Sequence, residues 1–342
     1  MDIKSNVSLK EYSSMRLGGN TSYLIEIHNK NELSQALDWA KQKSLPYLVV
    51  GNGNNIIWKD EGFNGVVLVN KILGIESKQL DSNRISIDLG AGENWDKVVE
   101  KFTKEGFSGI ECLSLIPGTC GASPIQNIGA YGGDISNVLN SVEAFDIFTN
   151  KFVTLSCEEC ELGYRASRFK YRDKNRFIIV SINLIIEKKN PSAPYYKIVE
   201  EYFKTNDITE ITPIVLRDAV VAIRTSKLPD PNFIPNTGSF FANPIIDKSS
   251  FDNLHQKFPE LVFWLDQDNK VKLSAGWLIE QIGYKDKYDP ITGMATWSKH
   301  TLTLVNKSAK STADLLDFKQ QIVSRVKDKF DITLEQEPEL LP

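Results

Sequence analysis

A glycine-rich segment, residues 116–132, carries the clearest chemical signal in the sequence. It holds Gly118, Gly121, Gly129 and Gly132 among small and amide side chains and has no charged residue. Glycine lets backbone N–H groups approach a ligand closely and adopts the positive φ that other residues avoid. The composition therefore predicts a loop folded around a polar, flat or phosphorylated ligand. The alternative is a turn-rich surface loop, but such loops usually carry more charge.

The same segment resembles the flavin-binding signature of the UDP-N-acetylenolpyruvoylglucosamine reductases, also called UDP-N-acetylmuramate dehydrogenases. Other sequence blocks of that family are matched in order along the chain. These blocks are residues 13–19, 51–55, 163–165, 236–241 and 334–337. Together they span nearly the whole chain, which makes the resemblance specific. Tyr195 and Tyr196 resemble the subtype that closes a tyrosine-bearing loop over its substrate.

The resemblance implies a defined reaction in peptidoglycan precursor synthesis. NADPH would reduce FAD, and the flavin would deliver hydride to UDP-N-acetylglucosamine enolpyruvate, giving UDP-N-acetylmuramate. The protein must then hold a carboxylate, stabilise negative charge and supply one proton. We expect FAD to be bound noncovalently, because no His or Cys of the glycine-rich segment has an evident tethering context. Cys120 is the residue of this segment that a covalent link to FAD would use.

Three residues match the catalytic positions of the family. Arg165 is the expected carboxylate holder, since a guanidinium group pairs with a carboxylate in bidentate fashion. Ser239 is the expected proton donor, because a hydroxyl beside glycine can approach a carbon closely. Glu337 would act with Arg165, and we expect burial to raise its pKa. The gapless match selects Glu337, whereas anchoring the tail on Pro338 would select Glu339.

Each of these residues also has a structural alternative. Arg165 could form a surface salt bridge, Ser239 could be a turn serine, and Glu337 could belong to a solvated acidic tail. No G-x-S-x-G motif surrounds Ser239, so a hydrolase nucleophile is not indicated. Two rival functions stay open: another FAD-linked oxidoreductase of the same fold, and a non-catalytic protein that binds a UDP-sugar or a flavin.

The resemblance also implies two sets of ligand-binding residues. The set expected to bind FAD consists of Gly51, Asn52, Gly53, Asn54, Asn55, Pro117, Gly118, Gly121, Ala122, Ser123, Gln126, Asn127, Gly129, Ala130, Tyr131 and Gly132. The set expected to bind the UDP-sugar consists of Tyr196, Lys227, Asn243, Lys272 and His300, of which the last two are the weaker candidates. Tyr195 competes with Tyr196 for its role, and Lys227 has the alternative of a solvated lysine after a helix.

Composition places the chain among soluble globular proteins. It has 342 residues, of which 41% are hydrophobic and 25% charged, enough for two or three domains. A net charge of −4 gives no reason to expect nucleic-acid or membrane binding. The first residues lack the apolar core of a signal peptide. No apolar run approaches the roughly 20 residues of a membrane helix. We therefore expect a cytoplasmic monomer.

We expect no metal site. Cys157 and Cys160 have redox or zinc spacing, but Cys112 and Cys120 do not form a second close pair. The acidic residues between Cys157 and Cys160 disfavour a thiolate. The three histidines are scattered and form no metal-binding motif.

Hydrophobic periodicity predicts an alternation of helices and strands. Helices are expected over 31–43, from Trp95 onward, from Pro213 onward, over 274–282 and over 311–330. Strands are expected over 23–27, 47–51, 65–69, 85–89, 142–148 and 177–186. The glycines at 51 and 53 do not open a Rossmann helix, because position 56 is isoleucine and strands follow.

The fold class expected from the resemblance is α+β, a three-domain flavoprotein with a non-Rossmann, vanillyl-alcohol-oxidase-type FAD-binding fold and a separate substrate-binding domain. The expected FAD-binding subdomains are residues 1–72 and 73–227. The substrate-binding domain covers 228–330, and a tail of residues 331–342 returns to the active site. The proline cluster after residue 228 marks the main boundary.

Overall fold

The computed structural model describes residues 1–265 and 269–342. The chain divides into two compact units, neither of which is continuous in sequence. Unit 1 contains residues 1–5, 22–52 and 64–226. Unit 2 contains residues 6–21, 53–63 and 227–342. Short N-terminal segments therefore belong to the same unit as the C-terminal third of the chain.

The elements of the described residues alternate along the chain. The α-helices are α1 (Lys30–Gln42), α2 (Trp95–Lys104), α3 (Lys197–Thr205), α4 (Pro213–Lys227), α5 (Lys248–Lys257), α6 (Ala275–Gln281) and α7 (Thr312–Phe330). The strands are β1 (Ile3–Ser8), β2 (Asn20–Ile27), β3 (Tyr47–Val50), β4 (Ile56–Trp58), β5 (Phe63–Asn70), β6 (Ile75–Gln79), β7 (Arg84–Gly90), β8 (Gly129–Ala130), β9 (Gly133–Asp134), β10 (Leu139–Asp146), β11 (Lys151–Ser156), β12 (Phe177–Glu187), β13 (Asn236–Ser239), β14 (Ile245–Asp247), β15 (Phe263–Leu265), β16 (Lys270–Leu273), β17 (Met294–Trp297), β18 (His300–Asn306) and β19 (Glu339–Leu341). The predicted strands and helices all appear, with boundaries shifted by a few residues.

Unit 1 contains two larger sheets, one of four strands and one of five. The four-stranded sheet has the order β1-β2-β5-β3 and pairs β3 with β5 in parallel. The five-stranded sheet has the order β11-β10-β12-β7-β6 and is antiparallel, with Ile182 opposite both Val142 and Leu89. Alternate residues of β12 are buried, as the period-two pattern predicts for a sheet with one face on a core.

Helix α1 packs against the four-stranded sheet through Leu33, Ala36 and Ala40. These residues recur at helical spacing, which gives the helix one apolar face. Asn29 begins it, because its side-chain oxygen accepts the backbone N–H of Glu32 over 2.9 Å.

Helix α2 anchors the glycine-rich segment within unit 1. Asn94 caps it, and Trp95, Val98 and Phe102 form its buried face. The backbone N–H of Trp95 donates to the carbonyl oxygen of Gly118 over 3.2 Å, and its indole N–H donates to that of Leu113 over 2.9 Å. Trp95 thus ties the helix to both sides of residues 114–117, once through its backbone and once through its buried side chain.

Helix α4 buries one charged residue together with its apolar face. Ala219, Val220 and Ile223 are buried with residues of α3. Val215 is only half-buried, whereas Arg217 is buried. A charged residue cannot be assigned to a buried face from periodicity, because its burial depends on an ion-pair partner elsewhere in the chain.

Unit 2 is built around the last long helix. Sheets with the orders β13-β18-β17 and β14-β16-β15 lie in this unit, as does the parallel pair of β19 and β4. The predicted stripe of α7 is buried, namely Leu315, Phe318, Ile322, Val326 and Phe330. Ser311 and Asp314 form a capping box at its start. Helix α5 was not predicted, because its sequence is mostly polar and only Phe251 and Leu254 are buried.

Candidate active site

The glycine-rich segment folds onto the turn that precedes α2. The backbone N–H groups of Cys120 and Gly121 donate to the carbonyl oxygens of Glu93 and Ala91, each over 2.9 Å. A Cβ atom on Gly121 would lie 2.5 Å from the Cβ of Ala91. Two backbone stretches therefore run in direct contact here, and only glycine allows it.

The predicted block at residue 51 lies beside the same segment. A Cβ atom on Gly51 would lie 2.7 Å from the side-chain oxygen of Thr119. Asn52 accepts a hydrogen bond from the ammonium group of Lys71 over 3.2 Å. Residues 51–52 and 119–121, which are distant in sequence, are thus neighbours in unit 1.

Residues 53–55 belong to unit 2, where they contact another predicted block. The backbone N–H of Ser14 donates to the carbonyl oxygen of Gly53 over 3.0 Å, and its hydroxyl donates to that of Asn54 over 3.3 Å. Gly53 has φ +71°, and a Cβ there would collide with the carbonyl of Tyr12. The carbonyl oxygens of this loop are therefore used to hold residues 12–14.

Two polar side chains of the segment are engaged within unit 1. Asn127 has φ 47°, donates to the carbonyl oxygen of Gly163 over 3.1 Å and accepts the N–H of Ser136 over 3.2 Å. Ser123 donates to the carbonyl oxygen of Cys120 over 2.6 Å. Both side chains are buried. They shape the segment and connect it to residues 163–165.

Arg165 lies beside the hairpin of β8 and β9. It has φ 52°, and its guanidinium donates to the carbonyl oxygen of Gly129 over 3.1 Å. Lys170 donates to the carbonyl oxygen of Arg165 over 3.1 Å. Nearby Arg168 pairs with Asp173 over 2.7 Å. Arg165 is thus held by the glycine-rich segment.

Sequence reasoning missed Arg224, a half-buried residue near the end of α4 whose Nε atom is buried. Its guanidinium donates to the carbonyl oxygen of Leu115 over 3.3 Å, and the phenol of Tyr131 and the carboxylate of Asp96 favour its charged form. Burial lowers its pKa. Its Nε–H has no hydrogen-bond partner among the described residues. The sequence feature that could have pointed to Arg224 was its position just before Lys227, which was predicted to bind the UDP-sugar.

Tyr131 links Arg224 to the tyrosine pair. Its ring packs edge-on against that of Tyr196 with centroids 6.0 Å apart. Burial raises the pKa of the Tyr131 phenol. Tyr195 instead packs against Phe203 and donates to the carbonyl oxygen of Pro191 over 2.8 Å. Of the two tyrosines, Tyr196 is the one that contacts the glycine-rich segment.

Ser239 ends β13 in unit 2, where it pairs in register with Thr303. The hydroxyl of Thr303 lies 3.2 Å from Nδ1 of His300. Gly238 has φ +73°, and its N–H donates to the side-chain oxygen of Asn236 over 2.8 Å. This turn sets the backbone just before Ser239, and the strand pairing brings Ser239 and His300 into one neighbourhood.

The C-terminal tail crosses the residues that follow Ser239. The N–H of Glu337 donates to the carbonyl oxygen of Phe240 over 2.9 Å, and that of Ala242 donates to Glu335 over 3.0 Å. Glu339 lies further along, in β19, where its N–H donates to the carbonyl oxygen of Asn55 over 3.0 Å. The two candidate acids thus occupy different settings, and Glu337 is the one beside the Ser239 segment.

The remaining candidates in unit 2 lie on several elements. The carbonyl oxygen of Lys227 accepts the indole N–H of Trp297 over 2.9 Å. Asn243 accepts the N–H of Ala275, at the start of α6, over 3.0 Å. The ammonium group of Lys272 lies 5.8 Å from the centroid of the Trp264 ring. Among residues 1–265 and 269–342, these contacts leave the Lys227 ammonium and the Asn243 amide N–H groups as donors for a ligand.

The cysteines are all free thiols. Burial raises the pKa of Cys112 to about 11 and that of Cys160 to about 12. Within residues 1–265 and 269–342, no group of three His, Cys, Asp or Glu side chains is arranged to hold a metal ion. In the same residues, no helix is long and apolar enough to cross a membrane.

Comparisons with known proteins identify both parts of the chain. Residues 21–156 match a family of FAD binding domains, and residues 230–341 match the C-terminal domain of UDP-N-acetylenolpyruvoylglucosamine reductase. A UDP-N-acetylenolpyruvoylglucosamine reductase of Alcanivorax borkumensis is 39% identical over 91% of this chain and 88% of its own. The chain belongs to the UDP-N-acetylenolpyruvoylglucosamine reductase family.

Further relatives agree with membership of this reductase family, and a solved structure shows the same fold. The reductase of Flavobacterium johnsoniae is 37% identical over 98% of this chain and 99% of its own, and that of Escherichia coli K12 is 35% identical over 97% and 95%. The crystal structure of the reductase from Thermus caldophilus covers 100% of both chains with a TM-score of 0.68 and 23% identity. The predicted α+β flavoprotein fold is confirmed, and the chain is an FAD-containing oxidoreductase.

The residues present fit an FAD cofactor of this reductase family. A Cβ atom on Gly51 would meet the Thr119 side chain, and one on Gly121 would meet Ala91, so both glycines bring the loop close to its neighbours. Arg224 is half-buried, and its buried Nε–H has no hydrogen-bond partner among the described residues. A cationic N–H group beside a glycine-rich loop fits a bound dinucleotide, because both its phosphates and its reduced ring carry negative charge.

Proposed function

We propose that this chain reduces UDP-N-acetylglucosamine enolpyruvate to UDP-N-acetylmuramate with NADPH as the electron donor. The observation that carries the proposal is the match to the reductase family over nearly the whole chain. FAD, when bound, supplies hydride transfer between NADPH and the substrate. The chain's own residues bind the two substrates, orient the enolpyruvyl group and supply a proton.

Arg165 holds the substrate carboxylate in this proposal. Its guanidinium is already oriented by the carbonyl oxygen of Gly129, so little side-chain freedom is lost when a carboxylate binds. Positive charge at this point also stabilises the electron density that the carboxylate gains when hydride reaches the neighbouring double bond. Arg165 therefore acts in both binding and catalysis.

Ser239 supplies the proton to the carbon next to the carboxylate. Ser239 follows Gly238, which adopts a left-handed backbone conformation. Because glycine has no side chain, no bulky group precedes the Ser239 hydroxyl in this turn. Glu337 supports the carboxylate end with Arg165, in a protonated form or by activating water. The backbone bond between Glu337 and Phe240 favours Glu337 over Glu339 for this role.

FAD is bound noncovalently by the backbone of residues 51–55 and of the glycine-rich segment. Asn127 and Ser123 contribute through backbone shape, since their side chains already bond within the protein. Arg224, which the sequence did not single out, provides positive charge for the cofactor.

The UDP-sugar is bound by Tyr196, Lys227, Asn243, Lys272 and His300. Lys227 and the amide N–H groups of Asn243 serve the diphosphate, because they are the cationic and amide donors near Ser239 in sequence. Tyr196 covers the substrate from its position against Tyr131. The protein works as a cytoplasmic monomer with FAD-binding subdomains at 1–72 and 73–227, a substrate-binding domain at 228–330 and a catalytic tail at 331–342.

An anaerobic absorbance experiment tests the function. NADPH is added to the purified, FAD-loaded chain, followed by UDP-N-acetylglucosamine enolpyruvate. Bleaching of the visible flavin band and its return on adding the second compound are expected. A bleach with no return would favour an FAD-linked oxidoreductase with another substrate. A flavin that NADPH does not reduce would favour a binding protein without catalysis.

A further inference from the structure

Asp96 and Arg217 form an ion pair outside the residues assigned above, in which Arg217 is buried and Asp96 is half-buried. Asp96 lies in the first turn of α2 and Arg217 on α4. The two guanidinium nitrogens lie 2.7 and 3.1 Å from the two carboxylate oxygens, and Arg217 is 6% exposed. A buried ion pair is weak evidence for stability, because desolvation offsets most of the attraction. Its position therefore suggests another role.

The pair holds the backbone of Leu115. The Asp96 oxygen nearer Arg217 also accepts the N–H of Leu115 over 2.6 Å. Leu115 has φ 55°, a left-handed conformation that is unfavourable for leucine and persists only when its surroundings impose it. Leu115 directly precedes the glycine-rich segment. The ion pair thus fixes an unfavourable backbone turn at the start of the proposed flavin loop.

The other side of Leu115 holds Arg224. The carbonyl oxygen of Leu115 accepts from the guanidinium of Arg224 over 3.3 Å. Arg217 and Arg224 are seven residues apart, two turns of one helix, and so lie on the same face of α4. Helix α4 therefore holds Leu115 through two arginines. Arg217 acts by way of Asp96, and Arg224 donates directly to the carbonyl oxygen of Leu115. The first is neutralised by Asp96, and the second reaches Tyr131 of the glycine-rich segment.

Arg217 takes both oxygens of Asp96 in hydrogen bonds, whereas Asp96 acts on Arg224 through its charge. Arg224 donates to the carbonyl oxygen of Leu115, and its buried Nε–H has no hydrogen-bond partner among the described residues. A half-buried guanidinium that shares its counter-charge and leaves a buried N–H unpaired gains from an anion bound beside it. An anion that appears only after reduction would gain most from such a preformed cation.

We propose that Asp96 is a positioning residue of the flavin site: through Leu115 it fixes Arg224 where that guanidinium stabilises the negative charge of the reduced cofactor. The inference rests on the proposed function, because it requires FAD to occupy the glycine-rich segment. Hydride from NADPH brings two electrons and one proton to the cofactor and leaves NADP⁺. The surplus negative charge is the one that Arg224 compensates.

The test compares Asp96→Asn with Asp146→Asn in the full chain. Asp146 is the control, because it forms a bidentate pair with Arg176 over 3.1 and 2.9 Å on β10 of the same unit, with one partner buried and the other half-buried as in the Asp96 pair. The measurements are the midpoint potential of the bound flavin, the dissociation constant of FAD from fluorescence of the apoprotein, and the thermal stability of the apoprotein.

We expect Asp96→Asn to weaken the binding of reduced relative to oxidised FAD about tenfold, a fall in midpoint potential of about 30 mV for this two-electron couple. Arg224→Met should lower the potential at least as much, and the double variant should show no further fall. Asp146→Asn should destabilise the apoprotein and leave the potential unchanged. If Asp96→Asn does not fold, Arg217→Lys takes its place as the test variant. Lysine keeps the positive charge but cannot form the two parallel hydrogen bonds of a guanidinium group to a carboxylate.

Three results would overturn the proposal. One is a normal potential in folded Asp96→Asn with a lowered potential in Arg224→Met, which would leave Asp96 a purely structural residue. Another is an unchanged potential in Arg224→Met with a raised KM for the enolpyruvyl substrate, which would assign Arg224 to the substrate. The third is an equal fall in Asp146→Asn. Failure of the wild-type chain to bind FAD would instead refute the proposed function.

Discussion

The backbone N–H of Glu337 donates to the carbonyl oxygen of Phe240 over 2.9 Å, so the tail acid lies opposite the residue that follows Ser239. The pairing joins positions separated by about a hundred residues of sequence and belongs entirely to unit 2. Glu339 pairs with β4 instead, beside Asn55. This register is the basis for assigning Glu337 rather than Glu339.

Glu337→Gln should slow reoxidation of the reduced flavin by the enolpyruvyl substrate about a hundredfold, because the amide cannot act as an acid or base. Glu339→Gln is the control, since it changes the acid that pairs with β4. Single-turnover absorbance of the flavin measures the rate. A large effect of Glu339→Gln with none of Glu337→Gln would show that the tail match is shifted.

Ser239→Ala should leave reduction of the flavin by NADPH at its wild-type rate and slow reoxidation by about 10²- to 10⁴-fold. The alanine removes the proton donor and little volume, so binding and folding should be preserved. Stopped-flow absorbance separates the two half-reactions. Equal slowing of both would exclude Ser239 as the proton donor.

Gly121→Ala should destabilise the chain by about 1–3 kcal/mol and weaken FAD binding, because its Cβ would lie 2.5 Å from that of Ala91. Gly276→Ala on α6 is the control, since its Cβ would meet Leu302 at an ordinary 3.6 Å. Denaturant unfolding and FAD titration measure the two effects. Similar losses in both variants would contradict close contact of the two backbone segments as the cause.

Asp146 should make the free energy of unfolding of the chain depend on pH in the acid range. Hydrogen bonds from Arg176 lower the pKa of the Asp146 carboxyl to about 2. A lowered folded-state pKa means that the contribution is present above the ordinary pKa near 3.8 and is lost as the pH falls toward 2. Asp146→Asn should therefore cost roughly 1–2 kcal/mol at neutral pH.

Urea unfolding of wild type and Asp146→Asn at neutral and at strongly acidic pH measures this dependence. The difference in free energy of unfolding between the two chains should shrink as the carboxyl is protonated. A difference that stays constant down to the lowest pH would mean that the aspartate contributes through packing instead of charge.

The sequence by itself determined the local elements. The stripe of Leu315, Phe318 and Ile322 predicts α7, because burying apolar residues at a period of 3.6 requires a helix. The alternation in residues 177–186 likewise predicts β12. Gly51 and Gly121 were singled out as sites of close approach, which depends on glycine itself and little on its surroundings. The ordered blocks of residues also determined the family.

Tertiary structure alone decided which residues meet. Arg217 and Arg224 read in sequence as ordinary helical arginines, and their contacts are with Asp96 and Leu115, which precede them by about a hundred residues. The same holds for the register of Glu337 against Phe240 and for the sharing of the N-terminal residues between two units. Local sequence determines periodicity and backbone preference, whereas burial of a charge and pairing of distant strands depend on contacts that form only when the whole chain folds.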